Sequence, residues 1–148
     1  MAYSLDIYSL KQILNCDPTV KERYKKYAFD NFIETGTHTG ITAFHMANYF
    51  ANVYSVEIRD DLYKECVAHK QKINAQNVCL YFGDSSKMFP EILRKVHSES
   101  IFFLDGHDSQ GGEGPGDKDC PLIEELGYIN SHHNFNSIIV IDDFRLFG

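Results

Sequence analysis

Five short apolar runs punctuate the chain, each closing on polar or glycine residues: Asn31 to Thr35, Val53 to Ile58, Val78 to Phe82, Ile101 to Leu104 and Ile138 to Ile141. They are continuously apolar rather than alternating, as in parallel strands covered by helices on both faces. Helix-competent stretches separate them, so strand and helix repeat along the chain. Right-handed crossovers turn that order into an α/β fold, a Rossmann-like doubly wound parallel sheet with strand order 3-2-1-4-5. Ahead of the first run, the polar segment from Leu5 to Phe29 breaks near Asp17-Pro18. It reads as two short helices, the second capped by Asp17 with Pro18 in its first turn. The chain therefore divides into N-terminal helices over residues 1–30, packing on or capping the sheet, and a ligand-binding domain over residues 31–148.

The first run leads into a glycine turn, Glu34-Thr35-Gly36-Thr37-His38-Thr39-Gly40, and then a helix-like stretch from Ile41 to Phe50. Gly36 permits a turn that a side chain would obstruct. Gly40 lets the helix start close to a ligand, so that main-chain N–H groups face something bound above the strand. Ligands of such sheets lie beyond the carboxyl ends of the strands, and those ends are acidic here: Glu34, Glu57, Asp84, Asp105 and the pair Asp142-Asp143. Glu57 stands about twenty residues past Gly36, where an acid accepts hydrogen bonds from ribose hydroxyls. Asp84, in Gly83-Asp84-Ser85-Ser86, reads equally as a partner for an adenine amino group and as the N-cap of a helix through Met88 to Val96. The loop is not G-x-G-x-x-G, and no G-K-[ST] occurs. A carboxylate at its mouth suits a cationic or zwitterionic ligand better than a pyrophosphate.

With these residues in this order, the chain resembles the class I S-adenosylmethionine-dependent methyltransferases from about Asn31 to Asp143. Their acid, any residue, glycine, three residues, glycine motif is matched by Glu34 through Gly40, their ribose-binding acid by Glu57, and their acid near adenine by Asp84. The resemblance implies S-adenosyl-L-methionine as cofactor, held by Glu34, Gly36, Thr37, His38, Gly40, Glu57, Asp84 and Ser85, with Asp105 at the methionine end. Leu104-Asp105-Gly106-His107 and Ile141-Asp142-Asp143 are similar to the metal-dependent O-methyltransferases of sugars and small hydroxylated compounds. That likeness implies Mg2+ held by Asp105, Asp142 and Asp143, a small-molecule or glycan acceptor, and Asp105 or His107 as the base. Asp142-Asp143 alternatively only ends a strand at the surface.

Composition narrows the choice. A formal charge of −7 over 148 residues lacks the basic footprint of nucleic-acid binding, and the basic stretch Lys21 to Lys26 reads as a solvated helix face. Cys16, Cys66, Cys79 and Cys120 form no C-x-x-C pair and read as reduced thiols. His132 and His133 read as surface or loop residues, and Gly106 to Gly116 as a surface loop or a lid. No signal-like or membrane-length apolar stretch occurs, so no membrane association and a cytoplasmic location are expected. Methyltransferases of this class continue past strand five into a helix and two further strands. Here strands six and seven are expected to be missing, leaving an apolar edge to be covered by another chain or a further segment. The alternatives are a methyltransferase-fold binding module without catalysis and an NAD-type oxidoreductase on the same sheet.

Overall fold

The computed structural model describes residues 5–105 and 122–142, the side chains of Asp105 and Asp142 excepted. Two helices come first, α1 (Ile7–Leu14) and α2 (Pro18–Lys26). Asp6 starts α1 by accepting the Ser9 N–H at 2.7 Å. Asp17 starts α2 by accepting from Thr19 and Val20, with Pro18 at the first helical position, where its missing N–H costs nothing. Ile7, Leu10 and Leu14 fall on one face of α1 and are buried, whereas α2 buries no residue and carries its basic side chains in solvent.

Strands and helices then alternate: β1 (Asn31–Thr35), α3 (Ile41–Met46), β2 (Asn52–Glu57), α4 (Asp60–Ile73), β3 (Val78–Phe82), α5 (Ser85–Leu93), β4 (Ser100–Asp105), α6 (Leu122–His132) and β5 (Ser137–Asp142). All pairings are parallel, in the order β3-β2-β1-β4-β5. This is the expected doubly wound sheet. The connection from β3 to β4 crosses over β2 and β1, so the order reverses between β1 and β4 and opens a crevice there.

Both faces of β1, β2 and β4 are largely buried, which accounts for their continuous apolar runs, whereas Phe82 on β3 and Ile139 on β5 are exposed. On one face Phe32, Val53, Val78, Ile101 and Ile138 pack with Leu10 and Leu14 of α1 and Ala43 and Met46 of α3. On the other, Ile33, Val56, Phe102 and Leu104 pack with Phe89 and Ile92 of α5 and Leu122 and Ile129 of α6. Successive strand residues thus feed opposite cores. Helix α1 shares the first of these cores with the sheet. Among the described residues no helix is long and apolar enough to cross a membrane.

Two helices differ from expectation in extent. Helix α3 ends at Met46, with turns after it, and α5, capped by Asp84 and starting at Ser85, ends at Leu93, short of Val96. A histidine is also placed differently. His132 is exposed as expected, but His133 is buried, its ring edge-on to Phe102 at 5.3 Å and close to Phe135. The reason is helical phase. His133 follows Ile129 by four residues, continuing the stripe that α6 turns into the core.

Burial pushes the His133 imidazole below its ordinary value, only partly offset by nearby Asn136 and Glu99. An imidazole in the unfolded chain charges near pH 6.5, so on acidification the unfolded state takes up this proton first. The stabilisation is complete above that value and is lost as pH falls through it toward the lower folded one. Chemical denaturation between pH 7.5 and 5 should show this decline, and His133→Phe should flatten it. An unchanged slope in that variant would assign the decline to other groups.

Candidate functional site

The glycine loop hangs from β2. Gly36 and Thr37 N–H donate to the Val56 carbonyl at 2.8 and 3.2 Å, and Gly40 N–H donates back to Thr37 at 2.9 Å. His38 N–H donates to Glu57 Oε1 at 2.7 Å. The path requires left-handed backbone at Gly36 (φ 86°), His38 (φ 51°) and Gly40 (φ 85°), a conformation costly for a residue with a Cβ. These four amides are therefore turned into the protein rather than toward a ligand, unlike the expected outward-facing set. Helix α3 is also short. These four amides are not available to a phosphate, which agrees with the absence of a pyrophosphate motif.

Glu57 is the centre of this arrangement. It is 4% exposed, and its second oxygen accepts Arg59 N–H at 3.0 Å. A carboxylate so buried is tolerable because backbone amides satisfy it. Each oxygen keeps a second lone-pair direction, through which a ligand hydroxyl could donate. Phe82 is its register partner on β3, and Phe82 and Ile58 are each 47% exposed, forming apolar surface beside the acid. Tyr63 of α4 leans on Phe82, with ring centroids 5.4 Å apart.

Glu34 is also buried rather than standing free at the mouth of the loop. Its Oε2 accepts from Ser55 Oγ at 2.7 Å, and Ser55 lies 2.6 Å from Thr37 Oγ1. With the Ser55 proton committed to the carboxylate, the Thr37 hydroxyl donates to Ser55. The series Thr37, Ser55, Glu34 thus ties the loop to both central strands. Behind the loop, Cys66 of α4 donates its thiol to the His38 carbonyl at 3.3 Å. Burial, reinforced by the charges of Glu57 and Glu34, pushes that thiol up to about 11, so it is an inert packing group.

Asp84 takes the capping role, accepting both Ser86 N–H at 2.9 Å and Ser86 Oγ at 2.8 Å on Oδ1. Ser85 hydrogen-bonds Glu125 of α6, a fully buried carboxylate. Asp105 and Asp142 end β4 and β5 as direct register partners, which brings two of the metal candidates to adjacent positions on one edge. His107 and Asp143 lie outside the described residues, as do Cys120 and the glycine-rich segment. Among the described residues no group of three potential ligands forms a metal cluster.

Sequence reasoning missed Ser55, Cys66 and Glu125. Two carried a weak signal: Ser55 is polar within an apolar strand, and Glu125 sits three residues after Leu122 and four before Ile129, on the buried stripe of α6. Cys66 is the single buried residue of α4.

Neither a family model nor a curated protein matches the chain. Solved structures do. An S-adenosylmethionine-dependent methyltransferase from Clostridium acetobutylicum ATCC 824 superposes with a TM-score of 0.55 at 14% identity, over 91% of this chain and 54% of that one. The 23S rRNA methyltransferase ErmE gives 0.57 at 13% identity, over 95% and 48%. A Staphylococcus aureus protein provisionally named a caffeoyl-CoA O-methyltransferase gives 0.54 at 18% identity, over 73% and 49%. The chain has the Rossmann-like fold that these proteins share. It spans about half the length of each.

The tightest point of the loop gives a direct test. A Cβ on Gly40 would stand 2.6 Å from Phe44 Cε2 and 3.2 Å from Cys66 Sγ, at a positive φ. Gly40→Ala should destabilise the fold by about 1–3 kcal/mol, the range for a strained left-handed residue. Equilibrium denaturation measures it, and an unaltered midpoint would contradict the loop geometry.

Proposed function

We propose that the protein binds S-adenosyl-L-methionine at the carboxyl edge of the sheet and transfers its methyl group to a hydroxyl of a small molecule or glycan. The observation that carries this reading is the set of strand-end acids around a loop whose amides point inward. Such an edge is negative and hydroxyl-accepting, suited to a ribose and a sulfonium and not to a diphosphate. In this reading Gly36, Thr37, His38 and Gly40 shape the loop against the cofactor, with Glu34 fixing the loop from below. Glu57 accepts from the ribose hydroxyls, Ile58 and Phe82 offer apolar surface to the adenine, and Asp84 and Ser85 stand at the adenine edge. Asp105 borders the methionine end. The excess of acid over base disfavours a nucleic-acid acceptor.

Methyl transfer to oxygen requires the hydroxyl proton to be removed or the developing alkoxide charge to be stabilised. Asp105 and His107 are the proposed bases. Asp105 and Asp142 supply oxygen donors on neighbouring strand ends, a donor type that fits magnesium, with Asp143 as the proposed third. When bound there, the cation would act as a Lewis acid on the acceptor hydroxyl.

Calorimetry with S-adenosylhomocysteine tests the cofactor assignment, and a folded sample without binding would overturn it. Glu57→Ala should weaken binding by about tenfold or more, since hydrogen bonds to charged groups contribute about 1.5–3 kcal/mol each. The metal is tested separately. EDTA and Asp142→Ala should each abolish turnover of hydroxylated acceptors, whereas activity retained in both would leave a metal-free methyltransferase. Cofactor binding with no turnover on any acceptor would favour a binding module.

A further inference from the structure

Away from the strand ends, two contacts tie the N-terminal segment to the helix that follows the glycine loop. Leu5 N–H donates to Thr42 Oγ1 at 2.9 Å, and Ile7 N–H donates to His45 Nε2 at 3.0 Å. Thr42 and His45 are three residues apart, on one face of α3. Leu5 and Ile7 are 1% and 3% exposed, so these contacts orient a segment that also belongs to the core. An imidazole nitrogen accepts a hydrogen bond only while it carries no proton. The contact to Ile7 therefore requires neutral His45 with its hydrogen on Nδ1.

We propose that His45 is a proton-sensitive positioning residue, holding α1 against α3 when neutral and releasing the start of α1 when charged. Protonation at Nε2 would set an N–H against the Ile7 N–H, a lost bond and a repulsion together. The added charge would also face the positive end of the α1 dipole. Among the described residues, the titratable groups near His45 are Asp6, the cap of α1, which interacts with it electrostatically, and Tyr49 from the turn after α3, with ring centroids 5.3 Å apart.

Asp6, the cap of α1, lies within electrostatic reach of His45. Its carboxylate is held below its ordinary value by the backbone and side-chain hydrogen bonds from Ser9. With His45 neutral, Asp6 caps α1. Acidification that charges His45 therefore drives the release.

The released segment lies against Thr42, two residues beyond Gly40. That ligand affinity falls with it rests on the cofactor reading above, but the latch does not. Amide exchange of Ile7 reads the latch directly in the unliganded protein, after correction for the intrinsic pH dependence of exchange. Its protection should drop about tenfold between pH 7.5 and 5, the scale of one lost hydrogen bond. Leu10 N–H, which donates to the Asp6 carbonyl, serves as the comparison within α1.

His45→Gln keeps an uncharged acceptor and should hold Ile7 protection constant over that range. An equal drop in that variant, or no drop in the wild type, would overturn the proposal. Nitrogen NMR of the wild-type ring needs no variant. An unprotonated Nε2 at pH 7.5, with Ile7 and His45 shifts titrating together, supports the latch, and a hydrogen on Nε2 at that pH refutes it.

Discussion

A buried carboxylate must be satisfied by donors or it would be neutralised, and Glu57 is satisfied by the backbone of the loop it supports. Its two oxygens take the amides of His38 and Arg59, so one side chain at the end of β2 secures both the turn after β1 and the entry to α4. The loop passes through three left-handed residues in five positions and could not hold that path by local preference alone. The Val56 carbonyl, the Cys66 thiol and the Thr37, Ser55, Glu34 series add the remaining constraints. All depend on β2 lying beside β1 in parallel register.

This arrangement decides what the edge can bind. The amides of Gly36, Thr37, His38 and Gly40 are committed within the protein and are not offered to phosphate oxygens. What it presents is shape, apolar surface at Ile58 and Phe82, and carboxylate lone pairs. On the proposed reading, that combination selects a nucleoside with free ribose hydroxyls and a positive centre. On the same reading it differs from dinucleotide-binding sites on sheets of this topology, since function on this fold resides in the site and not in the sheet.

The N-terminal helices have a second place in the same logic. Helix α1 contributes Leu10 and Leu14 to the core that contains Phe32 of β1 and Met46 of α3. The backbone before and at its start is held by Thr42 and His45. The helix after the glycine loop is thus fixed from two sides, by the loop and by α1. A change at His45 is felt next to Gly40 without touching a strand-end acid.

Period and punctuation in the chain were enough to determine the five strands, their parallel order and the gathering of acids at one edge. Continuous apolar runs between helical stretches admit few other solutions, and parallel strands necessarily place Glu34, Glu57, Asp105 and Asp142 together. Asp17 and Pro18 were legible for the same reason, because a cap acts on its nearest neighbours. The partners of those acids were not legible. Ser55 beneath Glu34, Glu125 beside Ser85, and the loop amides on Glu57 meet across strands or helices, and His133 is buried by the phase of α6. Hydrogen-bond partnership at long sequence separation depends on distances of a few ångströms and on helix rotation. Residue type and spacing carry no record of either, so the acids were visible in the sequence but only the tertiary structure decided which were bound from within.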